Sequence, residues 1–158
     1  MGQKITISVI GGHDMDEETE GLAYRVGQVV ARVRAVLVCG GLGGVMRSAA
    51  KGAKSAGGLT IGILPGRDKK DANPYIYIAL PTSIGYARNA MVACSADIII
   101  ALPGSHGTRS EISYGFVFGR PIIDLGHWNV EGMIQVSDLK EAEQKIRTLI
   151  RQIKKRKG

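Results

Sequence analysis

Long apolar runs are missing from this chain. No stretch of its 158 residues approaches the ~20 that a membrane-spanning helix needs, and nothing before Lys4 has the basic, apolar and cleavage-site order of a secretion signal. The expectation is a cytoplasmic protein with no membrane partner. Cysteine is scarce too: Cys39 and Cys94 lie far apart beside apolar neighbours and make no C-x-x-C pair, so two buried thiols are expected, with no metal site and no redox motif. No internal repeat and no long linker interrupts a length that suits one domain. Residues 1–158 therefore read as a single domain that closes on an amphipathic helix and a basic tail.

Dehydrogenase chemistry lacks its signature as well. The turn Gly11-Gly12-His13-Asp14-Met15 is not G-x-G-x-x-G, and no acid closes the second strand to take a ribose hydroxyl. Glycine, by contrast, occurs 22 times, in short clusters at the ends of apolar segments and not in a low-complexity tract. The formal charge is +7, of which Lys154, Lys155, Arg156 and Lys157 supply four. A basic helix end complements the helix dipole, and this run has no interleaved aromatics on which bases would stack. Nucleic acid is accordingly the weakest of the partner readings.

Two periodicities alternate along the chain. Lys4–Ile10, Ala35–Cys39, Thr60–Leu64, Tyr75–Leu80, Asp97–Leu102 and Ile122–Leu125 are short and mostly apolar, as strands covered on both faces are. Glu17–Val33 sets Leu22, Val26, Val29, Val30 and Val33 at helical spacing behind acids that suit a helix start. Further helices are expected over Val45–Ala56, Ser83–Ser95 and Thr108–Phe118, and the apolar residues from Leu139 to Ile153 mark a terminal amphipathic one. Arg67–Pro74, charged and aperiodic, reads as an exposed loop. Met91 is expected in the core, and Trp128 as an aromatic plug under the terminal helix.

Alternating strands and helices predict an α/β fold, a doubly wound and mainly parallel sheet with helices on both faces. Ligands of such sheets bind beyond the carboxyl ends of the strands. Gly11, Gly12, Gly40, Gly41, Gly43 and Gly44 all fall on that rim, as does Pro103-Gly104. The richest of these ends is Leu102-Pro103-Gly104-Ser105-His106-Gly107-Thr108-Arg109-Ser110-Glu111, which leaves a strand, crosses a glycine turn and starts a helix. Free amides at such a start, backed by the helix dipole, hold anions. The plain structural reading of Thr108 to Glu111 is a capping box.

Gly40-Gly41-Leu42-Gly43-Gly44-Val45-Met46, Gly85-Tyr86-Ala87-Arg88-Asn89 and Pro103 to Glu111 together resemble the Rossmann-like superfamily of the Lonely-guy phosphoribohydrolases, long labelled possible lysine decarboxylases. Within it the chain looks most like the branch that includes molybdenum-cofactor carrier proteins. The likeness covers the chain up to about Leu125. It implies a Rossmann-like fold and carries the family's P-G-G-x-G-T-x-x-E onto Pro103, Gly104, Ser105, Gly107, Thr108 and Glu111, with the catalytic arginine at Arg88. Ser105 stands in place of the second glycine, and Asn89 in place of the lysine that often follows the arginine. The second departure tilts toward the carrier-like branch.

The resemblance implies hydrolysis of a nucleoside 5′-monophosphate to base and ribose 5-phosphate. Glu111 would stabilise the cationic sugar, and Arg88 would neutralise phosphate. His106 in the turn and His13 on the rim are further contact candidates. The alternative is a non-catalytic binder or carrier of a phosphorylated pterin-type cofactor, such as molybdenum cofactor, or of a nucleotide, using the same cup. Neither reading requires a cofactor for catalysis. A pyridoxal-phosphate decarboxylase is excluded, because Lys51 and Lys54 lie on a helix and no lysine reaches the cup. The small and apolar helices Ser83–Ser95 and Thr108–Phe118 match the region through which family members self-associate, so a homo-oligomer is expected.

Overall fold

The computed structural model describes residues 2–158. Its strands are β1 (Thr6–Ile10), β2 (Val36–Cys39), β3 (Thr60–Leu64), β4 (Ile78–Pro81), β5 (Ile98–Ala101), β6 (Ile122–Asp124) and β7 (Ile134–Gln135). Its helices are α1 (Glu17–Arg32), α2 (Val45–Ser55), α3 (Arg88–Cys94), α4 (His106–Val117) and α5 (Leu139–Lys157). All strand pairs are parallel, in the order β4-β3-β2-β1-β5-β6-β7. Chain order runs outward in both directions from the β1–β5 pair, which is the switch point where an open parallel sheet leaves a crevice.

Alternation along the strands feeds two cores. Ile7 and Val9 of β1, with Ile98 and Ile100 of β5, pack against α1, α2 and α5. Ile10, Ile99 and Ala101 point to the other face, where Val92 and Ala93 of α3 and Ile112 of α4 cover them. Ser8 is a polar residue in that buried row, and its hydroxyl donates to the Val92 carbonyl at 2.7 Å, so its burial leaves no orphan group. Helices thus cover both faces of the sheet, and none is long and apolar enough to cross a membrane.

Glycines set how closely α1 and α2 approach. A Cβ on Gly27 would overlap the Ala49 carbonyl oxygen, and one on Gly52 the Tyr24 carbonyl oxygen. The two backbones touch where each helix has no side chain.

Several local expectations change. The Tyr75–Leu80 strand begins only at Ile78, because Asn73 turns the chain: its side chain accepts from the Tyr75 amide at 3.0 Å. Asn73, within the Arg67–Pro74 loop, is itself buried, so that loop is not wholly exposed. The expected Ser83–Ser95 helix starts late, because Ser83 and Gly85 have φ of 60° and 62°; a single 3₁₀ turn, Gly85–Ala87, leads directly into α3. On α3, Val92 and Ala93 face inward, which leaves Met91 and Cys94 exposed. Only Cys39 is a buried thiol, and burial pushes it up to about 12, where it is inert. Trp128 packs on the α3 and α4 side of the sheet, not under α5. The basic tail continues α5 as regular helix to Lys157.

Gly27→Ala tests the helix contact. The added methyl meets backbone that cannot step aside, so a loss of about 1–3 kcal/mol is expected from overpacking. In a chain of this size that is a fall of roughly 2–12 °C in Tm. An unchanged thermal melt would show that α1 and α2 can part without cost.

Candidate functional site

The carboxyl end of β1 is tied to both neighbours through backbone. The Gly12 amide donates to the Pro103 carbonyl at 2.8 Å, and the Gly12 carbonyl accepts from the Val45 amide at 3.0 Å, where α2 starts. The approach needs Gly104, whose Cβ would overlap the Thr108 hydroxyl and come within 2.9 Å of the Gly12 amide. It also needs Gly44, which turns into α2 with φ of 65° against the Gly12 carbonyl.

Helix α4 begins two residues before the expected Thr108. Its N-cap is Ser105, whose side chain makes no capping bond, and the first intrahelical bond runs from the Arg109 amide to the Ser105 carbonyl at 2.9 Å. The amides of His106, Gly107 and Thr108 precede that bond and are left open at the positive end of the helix, the arrangement that holds phosphate. The capping box does not form. Thr108 lies inside the first turn with its side chain buried, and Glu111 belongs to the second turn.

These elements border a cleft of about 700 Å³, lined among others by Gly12, Arg88, Asn89, Gly107 and Glu111. A shallower hollow of about 330 Å³ adjoins it across Gly12 and Ser105, walled by Asp14, Asp16, Pro103 and Gly104. The cleft has the size of small-ligand sites.

Arg88 is 5% exposed, and each of its three guanidinium nitrogens donates one hydrogen bond. Its Nε donates to the Ile63 carbonyl at 2.9 Å and its Nη2 to the Gly40 carbonyl at 3.3 Å. Its Nη1 donates to Asn89 Oδ1. Asn89 Nδ2 in turn donates to Ser110 Oγ at 3.1 Å and the Gly107 carbonyl at 3.4 Å. Burial lowers the Arg88 pKa, with Glu111 the largest opposing influence, yet an arginine remains a cation. Glu111 shares the cleft without an ion pair to Arg88 among the described residues. Desolvation pushes its carboxyl up to about 8, against the pull of Arg88. At neutral pH it is mostly a neutral acid.

Of the residues singled out from the sequence, Gly11, Gly12, Arg88, Ser105, His106, Gly107, Thr108 and Glu111 line the cleft, and Pro103 and Gly104 line the hollow beside it. Gly40, Gly41, Gly43 and Gly44 stand behind the wall. Gly40 serves Arg88, Gly41 packs on Gly62, Gly43 lies against the His13 ring and Gly44 against Gly12. Buried Asn73 braces that turn by donating to the Leu42 carbonyl at 2.8 Å. Tyr86 and Tyr114 on the cleft wall escaped the sequence reading. Tyr114 is three residues after Glu111, hence on the same side of α4.

A second carboxylate, Asp124, shapes the rim without lining the cleft. Asp124 accepts from the amides of Gly126, Trp128 and Asn129 at 3.0, 3.1 and 2.9 Å. Burial pushes its carboxyl up, but those three bonds outweigh it and hold the pKa below the ordinary value. The loop so fixed lets Trp128 Nε1 donate to the Leu102 carbonyl at 3.0 Å and sets its ring under Arg109.

A parallel sheet with an uncapped helix start at its switch point defines a Rossmann-like domain. The chain belongs to the SLOG cluster4 family, whose pattern matches residues 4–155. An uncharacterized protein of Archaeoglobus fulgidus is 46% identical over 119 residues, 75% of this chain and 78% of that one. The molybdenum cofactor binding protein of the phototrophic bacterium Rippkaea orientalis has the same fold, with a TM-score of 0.86, 32% identity and coverage of 94% of this chain and 98% of that one. The molybdenum cofactor carrier protein of Chlamydomonas reinhardtii follows at a TM-score of 0.85 and 28% identity, covering 94% and 99%.

Glu111→Gln probes the neutral carboxyl through stability. An unfolded glutamate titrates near 4.5 and the native one near 8, so between those values the unfolded chain releases a proton the native state keeps. Rising pH therefore erodes native stability across that window. The variant cannot ionise and escapes the loss. Melts should coincide below pH 4.5 and favour the variant above pH 8, by on the order of 2 kcal/mol for a half-buried group. Parallel Tm curves across this range would place the native carboxyl in solvent.

Proposed function

We propose that the protein binds and carries a phosphorylated small molecule of the molybdenum-cofactor class in the cleft beyond β1 and β5, and does not hydrolyse it. The observation that carries this is the pairing of an open helix start with a cleft in which Glu111 is held as a neutral acid and Arg88 is pinned to backbone and to Asn89. The three free amides of α4 supply the phosphate contact, and the cleft is wide enough for a fused heterocycle. Tyr86 and Tyr114 offer aromatic faces to such a ring.

A phosphoribohydrolase would need a carboxylate beside a cationic sugar. Glu111, held near 8 by burial, is mostly protonated at neutral pH. Arg88 spends three of its five N–H donors on the Gly40 and Ile63 carbonyls and on Asn89, which fixes its position. Asn89, standing where the hydrolases often carry lysine, is what completes that engagement. Both features favour holding over cleaving, as does the likeness to the cofactor-binding protein of Rippkaea orientalis.

Ser105→Asp separates ligand binding from folding. An aspartate at the N-cap accepts from the same amides that would hold phosphate, so Tm should stay level or rise. Affinity for a phosphorylated pterin or the whole cofactor, measured by fluorescence titration, should fall at least about tenfold, as expected when an anion's amide donors are lost. The native protein incubated with nucleoside 5′-monophosphates should release no free base. Base release that disappears in Glu111→Ala would instead make the protein a phosphoribohydrolase.

The same reading includes self-association through α3 and α4. Val117 is 75% exposed and Met91 43% exposed. Tyr114, Phe116 and Phe118 are exposed with them, an apolar surface of the kind that meets a second copy. Light scattering should give a dimer or larger assembly, reduced to monomer by Val117→Asp. A monomeric native protein at micromolar concentration would remove this part of the reading.

A further inference from the structure

The surface charge of this protein is concentrated on one helix. α5 carries eight lysines and arginines against two glutamates, so it holds six of the seven net positive charges of the chain. Both glutamates are engaged near its start: Glu141 accepts from the Ser137 amide at 2.7 Å, and Glu143 bonds Arg32 and Arg147 at 3.0 and 2.8 Å. The C-terminal half carries five lysines and arginines and no acid. Dipole matching accounts for cations in the last turn only, whereas Lys140, Lys145, Arg147 and Arg151 lie upstream of it.

The helix is fixed in place along its length. Ala142, Ile146 and Ile150 are buried in the core, and Lys157 bonds Asp97 at 3.1 Å. Every exposed residue of α5 is Lys, Arg, Gln or Thr. Lys140, Gln144, Arg147, Arg151 and Lys154 follow at steps of three and four, one polar stripe along a rod of about 28 Å.

The composition of that face selects its partner. A protein interface centres on apolar and aromatic anchors, and this face has none. A helix that settles into a membrane surface inserts its apolar side, but the apolar side of α5 is consumed by the core. Single-stranded nucleic acid is gripped by stacking on aromatic rings, and none is present here. A phosphate backbone asks only for fixed cations at close spacing, with about one charge per 1.7 Å of B-DNA axis to meet them. We propose that the outer face of α5 is a docking surface for double-stranded DNA, held through its phosphates without regard to sequence. The missing aromatics, which count against single strands, do not count against a duplex.

The surface is separate from the cleft. Asp97, which anchors Lys157, precedes β5 and accepts from the Thr6 amide at the amino edge of the sheet, whereas the cleft lies beyond the carboxyl ends. The test is fluorescence anisotropy of a short mixed-sequence DNA duplex with the full chain across a salt series. Vesicles containing phosphatidylserine run in parallel, and the comparison is Arg151→Gln with Lys154→Gln, Lys155→Gln and Arg156→Gln combined. All four side chains are exposed and none pairs with an acid, so the melt of the variant should match that of the native protein.

The native protein should bind the duplex at low salt, with log K falling linearly against log salt. The variant should lose at least about tenfold in affinity and about three to four units of that slope. Absence of duplex binding at low salt, equal affinity of the variant, or tighter binding to the vesicles would each overturn the proposal. Cofactor binding should be the same in native protein and variant, so failure here and failure of the carrier reading are told apart.

Discussion

One buried cation organises the carboxyl edge of the sheet. The Arg88 guanidinium bonds the Gly40 carbonyl after β2, the Ile63 carbonyl of β3 and the amide oxygen of Asn89. Asn89 extends the chain of bonds to Ser110 and Gly107 in α4. Four segments distant in sequence are keyed to one group. Truncating a buried charge network of this kind leaves carbonyls and a side-chain amide unpaired, which costs far more than the net worth of any single bond. The arrangement also limits movement: a guanidinium pinned by three bonds is a fixed positive field more than a mobile clamp.

The start of α4 rests on the opposite device, bonds that are not made. Ser105 occupies the N-cap and leaves its amides open, forgoing the ~1 kcal/mol that a capping side chain gives. Glycines at positions 12, 44 and 104 let three backbones meet where side chains would hold them apart. Local stability is sacrificed at this one rim of the sheet, a departure from local rules of the kind that functional sites commonly show.

The fold was legible because its signals are periodic. Short apolar runs alternating with helical spacing give a parallel sheet, and glycine at strand ends gives the rim. What stayed hidden has no period. β7 is two residues long, too short to alternate. The break before α3 depends on left-handed backbone at Ser83, a residue that gives no sign of it. The site was legible as a set of residues but not as a division of duties. Nothing in Gly40-Gly41-Leu42-Gly43-Gly44 says that its glycines stand behind Arg88 and His13 and not before a ligand, since that follows from where β3 and α3 deliver their side chains. The start of α4 was misplaced because Thr108 and Glu111 mimic a capping box, while the true N-cap makes no side-chain bond.

The two outermost strands bear on how the protein behaves when concentrated. β4 exposes Ile78 and Leu80 at the rim of the sheet, the profile of a strand that recruits further strands into fibrils. It also ends on Pro81, which has no amide to donate, and β7 on the far side is too short to template a neighbour. Blunted at both margins, the sheet resists growth into cross-β filaments. A concentrated solution of this protein should therefore stay clear where an unprotected edge would gel.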